Sequence, residues 1–375
     1  MSEDRLPESD RLGDAPHPRD ATRLFGQAQA EQAFLDVLNA DRLHHGWMIS
    51  GPRGVGKATL AWRMAAALIA EPPGQEAGLF GAPPPRETLD LPDDHPVARR
   101  MAAGSEPGLS QLTRPWDEKL KRFKADITVD EVRKLKSRFT LAAADGGWRV
   151  CIVDAADDLN TAAANAFLKL LEEPPERTTF LLVTHQPTAL LPTIRSRCRM
   201  LRCAPLGPED MAAALAQAGH EITSEDTALA ALSGGSVGRA FQLLEGDGLR
   251  LYGAIVSLLG TLPRLDRARA GKLAEAAAAR GNEAQVTLIF DLLDVALARL
   301  ARAGATGALD VEAAPGEAQV FARLAPSPAA ARQWAARAQE VTARARHGRA
   351  VNLDPGALIL DTLFKLSDVA SRCAA

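Results

Sequence analysis

Between residues 27 and 203 short, unbroken apolar runs alternate with stretches in which apolar residues recur every three or four positions. The runs Gly46–Ser50, Arg149–Val153, Thr179–Thr184 and Met200–Cys203 predict buried strands. Helical spacing runs from Gln27 through Phe34, Val37 and Leu38, then over Leu60–Ala70. Val132, Leu135 and Phe139 share a helical face behind Thr128 and Glu131, which fit a capping box. A further helix is predicted from Thr161 to Glu173, stopped by Pro174 and Pro175. Strands without polar alternation, separated by helices, predict a parallel sheet covered on both faces.

After Pro205 the strand signals fade. Residues 206–245 break into short helical stretches at Ala213–Ala218 and Thr227–Leu232, before Gly234 and Gly235, and read as a small helical domain. Residues 246–375 are helical in pattern throughout, including Val286–Ala303 and an Ala/Arg stretch at Ala329–Arg346 that reads as a solvated bundle helix. The expected fold class is α/β followed by all-α. Two segments stand outside it. Residues 1–20, rich in acids, Pro and Arg without periodicity, read as a mobile leader ahead of a 21–205 phosphate-loop domain. Residues 72–118, rich in Pro and Gly, read as an irregular insertion within it.

A length of 375 residues suits two or three domains, and 46% hydrophobic with 24% charged residues excludes wholesale disorder. Arginine outnumbers lysine 35 to 9 and alanine abounds, both favouring helix. A net charge of -3 gives no global basic footprint of the kind a small stand-alone nucleic-acid module uses. No early segment has the build of a secretory signal and no run reaches 18 uncharged apolar residues, so a cytoplasmic chain without membrane partners is expected. Cys151, Cys198, Cys203 and Cys373 lack metal-binding spacing, and a disulfide framework is not expected.

The chemistry lies at Gly51-Pro-Arg-Gly54-Val-Gly56-Lys57, between a predicted strand and a predicted helix. That is the context of a phosphate loop, whose backbone amides close on phosphate oxygens while the lysine reaches the outer phosphates. The next position should offer magnesium a hydroxyl, yet it is Ala58, and Thr59 comes one residue late, about 100° further round the helix. Asp154 ends a hydrophobic strand where a second magnesium carboxylate belongs. Ala155 follows it, and Asp157 and Asp158 read as turn and helix-start residues that could substitute.

Three further motifs carry a resemblance: Leu43-His-His-Gly-Trp47, Asn165-Ala-Phe-Leu-Lys-Leu-Leu-Glu-Glu-Pro-Pro175 and Leu190-Leu-Pro-Thr-Ile-Arg-Ser-Arg-Cys198. With the phosphate loop they resemble bacterial clamp-loader subunits of the AAA+ class over about residues 21–245. The resemblance implies a lid at 206–245 and an oligomerising collar at 246–375. It implies that Arg197 reaches into the nucleotide site of a neighbouring subunit, with Arg195 as rival. A guanidinium suits that task because it stays charged against phosphoryl oxygens. It implies a first sensor at Thr184, whereas Gly235-Ser236-Val237-Gly238 lacks the second sensor's arginine, Arg239 arriving one position late.

Ala58, Ala155 and Gly238 all degrade this chain's own site, while Arg197 is intact. The expected role is therefore a non-hydrolysing ring subunit acting in trans, associated with the replisome. The implied partners are gamma/tau motor subunits, a delta subunit, and, through the assembly, a sliding clamp and primed DNA. No cofactor is required, residual ATP or ADP binding stays open, and the family's zinc module is not expected because 72–118 has no cysteine, despite His95. The competing readings are an active motor ATPase, using Thr59 with Asp157 or Asp158, and a stand-alone DNA-binding protein.

Overall fold

A computed structural model describes residues 7–13, 15–70, 85–92, 94–141, 146–221, 223, 225–278, 283–351 and 353–373. Two compact units emerge, one of Met1–Ile222 with Gly235–Gly238, the other of Thr223–Gly234 with Arg239–Ala375.

The first unit holds α1 (Ala28–Asn39), β1 (Gly46–Ser50), α2 (Lys57–Ile69), α3 (Pro96–Ala103), β2 (Leu109–Leu112), the short strands β3 (Trp116–Asp117) and β4 (Arg122–Phe123), and α4 (Val129–Leu141). It continues with β5 (Arg149–Asp154), α5 (Thr161–Glu172), β6 (Thr178–Thr184), α6 (Pro192–Arg195), β7 (Arg199–Arg202) and α7 (Pro208–Gln217). Five strands pair in parallel in the order β2-β5-β6-β1-β7. The central β6 is buried at every position and β1 likewise, which is why both read as unbroken apolar runs. On one face Phe139 of α4 and Phe167 of α5 meet the Phe180 ring edge-on, at 5.8 and 5.3 Å. Asn160 opens α5, its side chain accepting from the Ala163 amide at 2.9 Å.

Three expectations are corrected here. The 72–118 stretch falls partly outside the described residues, at 72–84 and 93. From residue 95 on, however, it is regular: the His95 imidazole caps α3 by accepting from Val97 N, and β2 adds a fifth strand beside β5. A four-residue edge strand with only Ser110 and Leu112 buried is too short to announce itself by periodicity. Nor are residues 7–20 a free leader. His17 is 2% exposed, its ring edge-on to Trp62 of α2 at 5.4 Å, and the Arg19 guanidinium lies over the same indole. The Glu8 carboxylate pairs with Arg19, and Asp10 Oδ2 lies 3.2 Å from His17 Nε2. Charges that looked solvated in sequence are spent on one another. Finally, the 206–245 segment does not stand as one domain. Its α7 belongs to the first unit, where Gln217 accepts from Arg23 N at 2.7 Å and donates to Arg23 O at 3.1 Å.

The second unit holds α8 (Asp226–Ser233), most of α9 (Val237–Glu245), and then α10 (Gly248–Leu259), α11 (Arg267–Ala278), α12 (Glu283–Thr306), α13 (Glu317–Leu324), α14 (Pro328–Ala350) and α15 (Pro355–Cys373). Tyr252, Phe321 and Trp334 are buried in it, and the Trp334 indole donates to Leu324 O at 2.8 Å. The fold class is thus the one expected, a parallel α/β sheet followed by helices alone. Among the described residues no helix is long and apolar enough to cross a membrane.

Candidate functional site

The phosphate loop forms between β1 and α2 as its glycines require. A Cβ on Gly51 would stand 2.3 Å from the Cys203 carbonyl oxygen, and Gly54 has φ +73° with Ser236 Oγ 2.4 Å from where its Cβ would be. Yet the loop's polar groups are turned on the protein itself. Lys57, 3% exposed, donates from Nζ to the carbonyls of Gly51, at 2.8 Å, and Pro52. Burial pulls its ammonium down to about 8. Ser236 Oγ donates to Arg53 O at 2.8 Å and Gly238 N to Gly54 O at 3.2 Å, so the Gly235–Gly238 segment is laid directly on the loop. A Cβ on Gly238 would meet Gly54 Cα at 3.0 Å and the Leu12 side chain at 3.3 Å. The segment expected to be mobile thus reaches this site.

Asp154 ends β5, as expected, but burial pushes its carboxyl up to about 7, helped by Asp10, Asp158 and Asp157 and opposed by Lys57. Ala58 and Ala155 offer no magnesium ligand, and Thr59 lies at the third position of α2. Asp157 and Asp158 close a 3-10 turn, the turn role foreseen for them. Asp157 accepts from Thr184 Oγ1 at 2.6 Å and from His185 N at 2.6 Å, which occupies both the would-be sensor hydroxyl and the substitute acid. Asp158 pairs with Arg114 at 3.1 Å. His185, hemmed in by burial and by Lys57 and Arg53, is lowered to about 4 and stays neutral. These groups do not fit a hydrolysable magnesium nucleotide.

Arg197 lies elsewhere. It follows α6, and a Cβ on Gly46, the first residue of β1, would stand 3.0 Å from the Arg197 carbonyl oxygen. The phosphate loop leaves the other end of that five-residue strand, roughly 16 Å away at about 3.3 Å per residue. The Arg197 side chain is 37% exposed, paired with Glu172 Oε1 at 3.0 Å and donating to Thr193 O at 3.1 Å. Motif reading supplied Glu172 and Arg197 separately and missed that α5 and the turn after α6 bring them together. Arg195 is half-buried at the end of α6. Burial raises the thiols of Cys198, to about 12, and Cys203, to about 11, so neither is a ready nucleophile.

Fold and motifs define a phosphate-loop domain on a parallel α/β sheet. Residues 26–207 match the family described as DNA polymerase III, delta subunit. Over 225 residues the chain is 37% identical to DNA polymerase III subunit delta' of Pseudomonas aeruginosa, a match covering 59% of this chain and 62% of that one. It is 35% identical over 219 residues to the Escherichia coli K12 subunit delta', covering 58% and 59%. It is also 32% identical over 207 residues to the gamma/tau subunit of Mycobacterium tuberculosis H37Rv, covering 53% and 31%. Over residues 26–207 the chain is delta-prime-like. It spans about three fifths of the length of the delta-prime relatives it matches.

Proposed function

We propose that this chain is a non-hydrolysing, delta-prime-like subunit of a DNA polymerase III clamp loader, which helps place a sliding clamp on primed DNA beside gamma/tau motor subunits and a delta subunit. Its enzymatic contribution is an arginine, Arg197, delivered to the ATP site of a neighbouring motor subunit. One observation carries this reading. Arg197 sits at the opposite end of β1 from its own phosphate loop, beyond the reach of an arginine side chain, and half-exposed at the surface of its unit. A guanidinium so placed serves a site on another chain or none.

The chain's own loop supports the same division of labour. Lys57 is satisfied by carbonyls, Asp157 by Thr184 and His185, and the 236–238 segment closes on Arg53 and Gly54. Any nucleotide held there would be a bound ligand without a base. The mechanism implied in trans is electrostatic: Arg197 leaves the exposed Glu172 pair, worth no more than about 1 kcal/mol, for phosphoryl oxygens that gather charge as transfer proceeds.

The test is single-turnover ATP hydrolysis by the reconstituted loader with clamp and primed DNA, comparing the native chain with Arg197→Ala. The adjoining motor site should slow roughly 10³-fold or more while assembly, followed by gel filtration, is unchanged. Unaltered hydrolysis in an intact assembly would reduce the chain to a scaffold.

A further inference from the structure

Three sequence motifs far apart in the chain meet at one point of the first unit. Gly46 of Leu43-His-His-Gly-Trp47 begins β1, and a Cβ on it would stand 3.0 Å from Arg197 O, 3.2 Å from Cys198 Sγ and 3.3 Å from Leu171 Cδ2. The His45 ring hydrogen-bonds to the Leu171 backbone. Leu171 leads into the Glu172-Glu-Pro-Pro175 run that ends α5, and Arg197 with Cys198 closes the third motif. Leu171 and Ile194 are buried in the same core as Phe167 and Phe180, which fixes both the end of α5 and the α6 turn. The side chains of Glu172 and Arg197 therefore face each other from two anchored backbones.

The carboxylates here break a local rule. A helix ends on its negative pole, where a cation is favoured and an acid is not, yet α5 closes on Glu172 and Glu173 before the two prolines. Such conflicts are expected where a residue serves something other than stability. Glu172 Oε1 lies 3.0 Å from Arg197 Nη2, while Thr193 O at 3.1 Å and Ser196 Oγ at 3.5 Å take Nη1. The guanidinium is thus drawn to the negative end of α5 by a carboxylate and a helix pole together. The Arg197 side chain is 37% exposed and that of Glu172 43%, so water screens the pair and lets it open.

We propose that Glu172 is a positioning residue that parks Arg197, competing with the phosphate oxygens of a neighbouring subunit's nucleotide for the same guanidinium. An ion pair this exposed shifts a population by no more than about fivefold. An arginine set against a transferring phosphoryl group is worth roughly 10³-fold or more in rate. Glu172 therefore loses the contest where the interface is closed on the nucleotide, and wins it where the interface is open and the arginine engages only part of the time. Its effect is to restrain idle hydrolysis while the committed reaction proceeds almost as if the carboxylate were absent. The proposal rests on the reading of Arg197 as a group acting in trans, and its test separates the two.

The test is ATP turnover by the reconstituted loader, without and with clamp and primed DNA, for the native chain, Glu172→Gln, Arg197→Ala and the double variant. Glutamine keeps the size and an acceptor oxygen and removes the charge. Glu172→Gln should raise idle turnover about three- to fivefold and change the stimulated rate by less than about twofold. In the Arg197→Ala background it should change neither rate. A gain that needs Arg197 is not what a loosened or partly unfolded subunit produces. Idle turnover unchanged or lowered in Glu172→Gln, or the same gain without Arg197, would overturn the parking role. Where Arg197→Ala slows the loader and Glu172→Gln is silent, the arginine keeps its role and Glu172 loses its own; where Arg197→Ala alone is silent, both readings fall.

Discussion

Lys57 gives the sharpest test of a silent nucleotide site. In a loop that holds phosphate a buried lysine is an asset; here its ammonium is enclosed, hydrogen-bonded to the carbonyls of Gly51 and Pro52, and the nearby Cys203, Asp154 and Asp157 only partly offset the burial. Burial lowers its pKa from the ordinary 10.5 to about 8. A drop of that size opposes folding at pH 7 by about 3 kcal/mol, which solvent screening on the loop's open side reduces to about 2. Replacing the side chain in Lys57→Met removes that penalty and strands two carbonyls, at a cost of about 1 kcal/mol. The variant should therefore be about 1 kcal/mol more stable at pH 7, melting roughly 2–4 °C higher for a unit of this size. The pH dependence follows from the direction of the shift. The folded chain gives up the Lys57 proton before the unfolded chain does, so between pH 8 and 10.5 the unfolded state binds more protons and native stability climbs. The variant's advantage is whole below pH 8 and by about pH 10.5 has turned into a deficit of about 1 kcal/mol, the stranded carbonyls alone remaining. Melting curves at about pH 7, 8.5 and 10, with and without millimolar magnesium-ATP, read all of this. A variant that melts lower than the native chain at neutral pH without nucleotide, or ATP that stabilises the native chain alone, refutes the reasoning.

Two further predictions concern groups that hold each unit together internally. Asp157→Asn leaves one of its two strong donors, Thr184 Oγ1 or the His185 amide, without a charged acceptor and should destabilise the first unit by about 2 kcal/mol. ATP hydrolysis by the isolated native chain that disappears in this variant would instead make Asp157 a working base. In the second unit Glu317 is fully buried and receives Arg299 Nε at 2.8 Å, Arg299 Nη2 at 3.1 Å, the Tyr252 hydroxyl and the Ala313 amide at 2.6 Å. Glu317→Gln should cost about 3 kcal/mol by leaving the Arg299 charge uncompensated, seen as a lower urea midpoint in circular dichroism; a midpoint unchanged within error would mean the network is dispensable.

Much of this protein was legible in the order of its residues. Apolar runs marked β1, β5, β6 and β7 to within a residue or two, most clearly for β1 and β6, which are buried at every position. The phosphate loop, Asp154 at a strand end, the prolines that stop α5 and the three missing groups at Ala58, Ala155 and Gly238 are local facts, fixed by which residue follows which. Whatever depends on one segment meeting another was hidden. The leader's charges find partners only when His17 reaches Trp62 and Asp10 reaches His17. Strand β2 exists because β5 offers it a ladder of hydrogen bonds. Asp157, in its 3-10 turn, is the acceptor for Thr184 and His185, 27 and 28 residues away. The position of Arg197 at the far end of β1 from Lys57 is a property of the sheet alone. Local propensity and periodicity are written in neighbouring residues; the pairing of distant groups is settled by the packed sheet, which sets Arg197 against Glu172 and Asp157 against Thr184.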